Sequence, residues 1–207
     1  MPTSPYAHLY CFMEYLRQMR PASILDIGLG NGKLGFIARD LLDVMIGERY
    51  RREKWKLQLD GIEIFEDYIQ DHQRAIYNQI HIGDAYEVID TLSSYDMVVL
   101  GDVLEHFTKE RGLLFLDKCF SHAKKSVCLF VPLGDGWKQP AIYNNPHEQH
   151  RSAWFQDEFE AMSSDQAIYH YKAGPYGAFL IEKNNYINYR VESLKKTPYF
   201  SEEPLER

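Results

Sequence analysis

Apolar residues recur along this chain in two alternating rhythms. Leu9, Phe12, Met13 and Leu16 repeat at helical spacing, with Ser4-Pro5 as a start signal and Pro21 as a stop. Residues 23–27 then read as a short buried strand that runs into Gly28, Gly30 and Gly32. Helical spacing returns with Leu34, Ile37, Ala38, Leu41, Leu42 and Met45, and Gly47 marks its end. Residues 49–56 are basic and read as a solvated extension. Residues 57–64 alternate as a strand does, 80–82 form another short strand, and 97–100 are continuously apolar, as a central parallel strand requires. Thr108 caps a helix carrying Leu113, Leu114, Leu116, Phe120 and Ala123, and 126–131 is a fifth buried strand closed by Pro132. A short helix at 157–162 precedes two antiparallel strands, 167–171 and 177–181, joined by a turn at Gly174-Pro175. From Asn184 the chain turns polar, with Pro198 and Pro204, and reads as a tail. Its aromatics (Tyr186, Tyr189, Tyr199, Phe200) point to packing on something such as a second subunit, hence a homo-oligomer.

Strands alternating with helices predict an α/β fold with a mostly parallel sheet. The glycine turn leaving the first strand is where chemistry would concentrate. Alternate glycines let the backbone turn sharply and approach a ligand, and the helix that follows offers free N–H groups to an anion. Three motif frames compete there. Gly30, Gly32 and Gly35 fit the dinucleotide pattern G-x-G-x-x-G, a weak match alone, and the region about twenty residues on, around Arg49 to Lys54, is too charged for the strand that pattern expects. The phosphate-loop pattern fails because Leu34 follows Lys33 and Ile27 stands where its first glycine belongs. The frame D-x-G-x-G-x-G, from Asp26 through Gly28, Gly30 and Gly32, fits without exception.

That frame resembles the first motif of class I S-adenosylmethionine-dependent methyltransferases, and the resemblance extends from about residue 21 to residue 183. It includes the strand end Asp60-Gly61-Ile62-Glu63-Ile64-Phe65, the turn Gly83-Asp84-Ala85, the segment Asp102-Val103-Leu104-Glu105-His106 and the stretch from Asn145 to Trp154. It is closest in kind to a bacterial and archaeal group whose substrates are mostly unassigned. One departure is the long basic stretch between the first helix and the second strand.

The resemblance implies a Rossmann-like, doubly wound seven-stranded sheet, mostly parallel with a C-terminal antiparallel strand. Residues 1–20 form an N-terminal helix that covers the mouth of the site or packs on the sheet edge, 21–183 form the methyltransferase domain, and 184–207 form the tail. It implies S-adenosylmethionine as cofactor, with the glycine turn against its methionine part and Asp26 near its amino group. Glu63, with Ile64 beside it, takes the ribose hydroxyls, and a carboxylate suits that task because each oxygen accepts a donor. Asp84 accepts from the adenine amino group, and the Ala85 N–H serves a ring nitrogen. Phe65 and Tyr68 either pack on the adenine or belong to the core. Asp102 and His106 face the acceptor pocket.

Residues 133–152 show little periodicity, and a loop this long in a compact domain is usually functional. It carries Trp137, Tyr143, His147, Glu148, His150 and Arg151. His150 joins His106 as a candidate general base. His147, Glu148 and His150 lack the H-E-x-x-H spacing of a metal site, so no metal is expected. The net charge of −7 argues against nucleic acid as partner and leaves a small-molecule methyl acceptor. Three cysteines without a C-x-x-C pair, no basic-then-apolar leader and no membrane-length apolar run place the chain in the cytoplasm by expectation. Two other readings stay open: a non-catalytic partner subunit of the same fold, and an NAD-dependent oxidoreductase.

Overall fold

The computed structural model describes residues 4–196 of the 207. Its centre is a seven-stranded sheet of β1 (Ser23–Ile27), β2 (Gln58–Glu63), β3 (Gln79–Ile82), β4 (Tyr95–Gly101), β5 (Ala123–Pro132), β6 (Asp165–Tyr171) and β7 (Gly174–Glu182). The spatial order is β3-β2-β1-β4-β5-β7-β6. The first five strands are parallel, and β7 runs antiparallel to both β5 and β6. This is the doubly wound sheet with an antiparallel C-terminal strand that the sequence predicts. An antiparallel strand wedged between β5 and β6 also separates it from the dinucleotide-binding order 3-2-1-4-5-6.

Strand periodicity builds two cores, one on each face of the sheet. Along β4, Val98 and Leu100 join a cluster with Phe115, Phe120 and Trp154, while Met97 and Val99 join Phe12, Leu16 and Phe130 on the other side. The first face is covered by α5 (Lys109–His122) and the last helix, the second by α1 (Leu9–Met19) and α2 (Lys33–Arg39). The elements α3 (Asp71–Ile76), α4 (Ala85–Val88) and α6 (Asp157–Glu160) are short, and α7 is Lys183–Lys196.

Several expectations change. Ser4-Pro5 does not cap α1, which begins only at Leu9. Instead the Lys33 ammonium donates to the Ser4 carbonyl at 2.6 Å and lies 4.5 Å from the Tyr6 ring, drawing this segment over the strand ends. The α1 helix packs on the sheet through buried Phe12, Tyr15 and Leu16. After Arg39 the crossover helix widens into a π-turn over Asp40–Val44 and stops before Gly47. Gly174 and Pro175 lie inside β7, so the turn sits at Lys172-Ala173. The stretch expected to trail off as a tail from Asn184 is helical, because Tyr186 stacks on Phe120 at 3.7 Å and its hydroxyl donates to Asp117. Tyr186 and Tyr189 pack against this chain's own core, while Ile187 and Val191 of the same helix are exposed. Tyr199, Phe200 and both tail prolines lie outside the described residues. No helix among the described residues is long and apolar enough to cross a membrane.

The basic extension forms two exposed 3-10 turns, Gly47–Arg49 and Arg52–Lys54. Its root is fixed by a buried pair in which Arg39 reaches Asp43 at 2.7 Å, with further bonds from the guanidinium to Leu57 O, Ile76 O and Asn78 Oδ1. That network sets where β2 and β3 enter the sheet, and so where their acidic ends arrive.

Candidate active site

Asp26, Gly28, Gly30, Glu63, Ile64, Asp84, Ala85, Asp102, His106 and His150 line one cavity of about 690 Å³ at the carboxyl ends of the parallel strands, and Gly32 does not. Gly32 works differently. It caps α2 at φ 75°, and a Cβ there would press on Gln73 at 3.1 Å, so it shapes the turn without lining the site. Gly28 and Gly30 lie at φ 66° and 49° and do line it. The turn is pinned to β2 by the N–H groups of Gly28 and Leu29, both donating to Ile62 O.

Glu63 closes β2. Its Oε2 accepts from the Gly30 N–H and its Oε1 from the Phe65 N–H, each at 3.0 Å. These bonds hold the carboxylate rigid and leave a lone pair on each oxygen for a further donor. Burial raises the Glu63 pKa, and the backbone N–H groups of Phe65, Gly30 and Ile64 oppose that shift. Asp26 is deeper, 2% exposed, and takes the Tyr77 hydroxyl at 2.5 Å. Burial lifts its pKa to about 7 despite this bond, so near neutral pH it is poised between acid and carboxylate.

Asp84 caps α4 through the Tyr86 N–H at 2.9 Å and pairs with Arg111, also at 2.9 Å. Both its oxygens are therefore engaged, with one lone pair left on each. Arg111 lies 4.6 Å over the Tyr86 ring and lines the cavity. Nothing in the sequence signalled Arg111, because α5 brings it to Asp84 across 27 positions. Tyr68 is core on one side, edge-on to Phe65, and gives its hydroxyl to Glu148 at 3.0 Å. Phe65 is absent from the lining and Tyr68 is in it.

The second half of the site follows β4. Asp102 sits in the left-handed region at φ 54°, a conformation that costs a non-glycine residue of order 1–3 kcal/mol. It faces the Tyr176 hydroxyl and the Ser4 side chain, which oppose the effect of burial on its carboxyl, while the buried Glu105 Oε2 has no hydrogen-bond partner among the described residues. Burial raises the pKa of both acids, that of Glu105 well above the usual range. A buried unpaired carboxyl oxygen is costly, so that of Glu105 at the cavity wall marks a place held for a partner.

The loop after β5 is locked. The N–H groups of Arg151 and Ser152 both donate to Glu105 O, at 2.7 and 3.2 Å, and the His150 N–H donates to Gln139 O. Trp154, fully buried, anchors its end under the Lys109 ammonium 3.6 Å away. This locking brings His150 beside His106, ring centres 5.1 Å apart. His106 Nδ1 bonds Gln149 O at 3.2 Å and His150 Nδ1 bonds Trp137 O at 2.5 Å. A carbonyl oxygen only accepts, so each Nδ1 carries the proton and each Nε2 keeps its lone pair. Burial lowers the His106 pKa to about 4 and lowers that of His150 too, so both rings are neutral at pH 7.

The sheet order and the glycine turn are those of the Rossmann-like methyltransferase fold. The sequence itself matches no protein-family model and no curated protein. Solved structures share the fold. A magnesium protoporphyrin IX methyltransferase from Synechocystis PCC 6803 with bound SAH superposes at a TM-score of 0.60 and 14% identity, covering 84% of this chain and 81% of that one. TehB from Haemophilus influenzae gives 0.57 at 12%, covering 84% and 61%. The N-terminal domain of EvdMO1, in the presence of SAH and D-fucose, gives 0.56 at 13%, covering 87% and 84%. At these identities the likeness is one of fold.

Proposed function

We propose that this chain is an enzyme that transfers a methyl group from S-adenosylmethionine to an oxygen or nitrogen of a small molecule. One observation carries the reading. Asp26, Glu63, Asp84 and Asp102 reach a single cavity at the strand ends of a sheet in the order β3-β2-β1-β4-β5-β7-β6. The donor set fits the cofactor: a rigid carboxylate with spare lone pairs, a half-ionised buried acid and a close-approaching glycine turn. Two of the three structures named above hold or were grown with SAH, which supports the same choice.

Glu63 would hold the ribose hydroxyls, Asp26 the cationic amino group, and Asp84 with the Ala85 N–H the adenine edge, with Ile64 along the ring. Bound there, the cofactor would supply an electrophilic methyl on a sulfonium to the acceptor's oxygen or nitrogen, whose proton would pass to a base or water. The protein orients the two reactants and keeps water out, which is where most of the rate in such a displacement originates. His106 and His150, side by side at the cavity, would hydrogen-bond the nucleophile through Nε2 and take its proton.

Calorimetric titration with S-adenosylmethionine and SAH, with NAD as control, tests this. Micromolar binding of the first two is expected. Two hydrogen bonds to a charged group are worth about 3–6 kcal/mol, so Glu63→Ala should weaken binding by roughly a hundredfold or more. Glu63→Gln keeps one of the two backbone anchors, because its amide nitrogen only donates, and should weaken binding less than Glu63→Ala. Binding of NAD alone, or of nothing, overturns the reading.

A further inference from the structure

Three ligand-type atoms, one each from Glu105, His106 and His150, lie within 4.8 Å of one another in the cavity wall. We propose that they form a site for one divalent first-row transition cation, with open positions that take a hydroxyl oxygen of the methyl acceptor. The substrate clause rests on the methyl-transfer reading above; the cation site does not.

Three independent features converge. First, both histidines are fixed as ligands. Each Nδ1–H is spent on a main-chain carbonyl, Gln149 O and Trp137 O, which orients the ring and leaves Nε2 as the free donor atom. Neither Nε2 is hydrogen-bonded by any described residue. This second bond from the far ring nitrogen is the usual support of a metal-bound imidazole. Second, Glu105 is 2% exposed, and its Oε2 has no partner among the described residues. It is a buried carboxyl oxygen that no described residue satisfies, beside the two imidazoles. Third, the backbone holds the set together. The Glu105 carbonyl receives the N–H groups of Arg151 and Ser152, so the loop bearing His150 is tied to the very residue whose side chain completes the trio.

The donor chemistry selects the ion. Two imidazoles and one carboxylate suit Mn²⁺, Fe²⁺, Co²⁺ or Zn²⁺, whereas an all-oxygen set would be needed for Ca²⁺ or Mg²⁺, and no thiolate is present for a soft ion. Ligand pairs around such a cation stand about 3–4 Å apart, so closure asks for side-chain shifts of about 1 Å. Three ligands also leave positions vacant. Glu105 and His150 line a second cavity of about 540 Å³ that holds Asp135, Lys138 and Arg151, while Glu105 and His150 also line the first. The cation would thus lie at the junction of the two spaces. An acceptor entering from the second cavity would place its hydroxyl on the cation and lose its proton more readily there. With the cation bound, both imidazoles serve as ligands in place of the base role above, and the acceptor is an oxygen nucleophile whose proton passes to water.

The test titrates EDTA-treated full-length protein with MnCl₂, followed by the loss of the free-ion signal in electron paramagnetic resonance, and with CoCl₂, followed by visible absorption. One equivalent should bind, with a cobalt spectrum of nitrogen and oxygen ligation. Glu105→Gln and His150→Gln should each weaken binding by about 10- to 100-fold, the range for disturbing a metal site. His147→Ala, outside the trio, should not. SAH titration of each variant, with its thermal unfolding curve, reports an intact fold. Cation binding that is absent in the wild type, or equal in all variants, overturns the site. SAH binding without cation binding overturns this inference alone, whereas cation binding without SAH binding overturns the methyl-transfer reading and keeps the site.

Discussion

Replacing Tyr77 by phenylalanine removes one atom, and its cost should depend on pH. The Tyr77 hydroxyl donates to Asp26 Oδ2 at 2.5 Å, with both residues 2% exposed. The ring itself stays packed against Gly35, where a Cβ would stand 2.1 Å from the hydroxyl, so the variant opens little more than the space of that oxygen. Burial raises the folded pKa of Asp26 from 3.8 to about 7, and the tyrosine bond opposes the rise. Between those values the folded chain keeps a proton that the unfolded chain has lost, so the wild type loses stability as pH rises through this window. At about pH 5 Asp26 is protonated when folded, and the lost bond is a neutral one worth about 1 kcal/mol. At about pH 9 it is a bond to a buried charge, worth about 2 kcal/mol. The difference of about 1 kcal/mol corresponds to a further rise of about 0.7 in the Asp26 pKa. Urea unfolding of both proteins at the two pH values measures the cost, and the midpoint of its pH dependence reads the shift. An equal cost at both values, or a larger one in acid, would refute the argument.

Three further outcomes follow from the same contacts. Gly35→Ala gains about 1 kcal/mol of helix propensity yet should lower stability by about 1–3 kcal/mol, since its Cβ collides with the Tyr77 hydroxyl; urea unfolding decides the sign. Trp154→Ala should cost about 3–5 kcal/mol, because the indole is fully buried against Phe159 and under Lys109; a loss below 1 kcal/mol would mean the loop is anchored elsewhere. With a cationic amino group beside Asp26, SAH affinity should fall roughly tenfold per pH unit below about pH 7, since that carboxyl must give up its proton to pair. A flat calorimetric profile between pH 5.5 and 8.5 would remove Asp26 from that role.

The local rules decided a good deal on their own. Apolar periodicity marks all seven strands, because one-faced and two-faced burial leave different patterns along a strand. The positive φ of Gly28 and Gly30 is likewise a local demand that glycine meets at least cost. The acids at positions 26, 63, 84 and 102 were singled out through the resemblance, and the fold brings them to one cavity at the strand ends. Where tertiary packing competes, the local signals misled. Ser4-Pro5 looks like a cap but is pulled away by Lys33, and the polar stretch after Asn184 becomes a helix because Phe120 waits for Tyr186.

What only the folded chain decided is which distant groups meet. Tyr77 finds Asp26 across 51 positions, Arg111 finds Asp84 across 27, and His150 comes to His106 only because Glu105 captures the loop backbone. No spacing rule encodes such meetings, since they depend on the lengths of intervening helices and the register of paired strands. The same holds for charge: a carboxyl is a surface acid or a buried one near pH 7 according to what surrounds it. The sequence of this protein determines the sheet and the turn at its ligand crevice, and the tertiary structure decides which buried oxygens and nitrogens face one another across it.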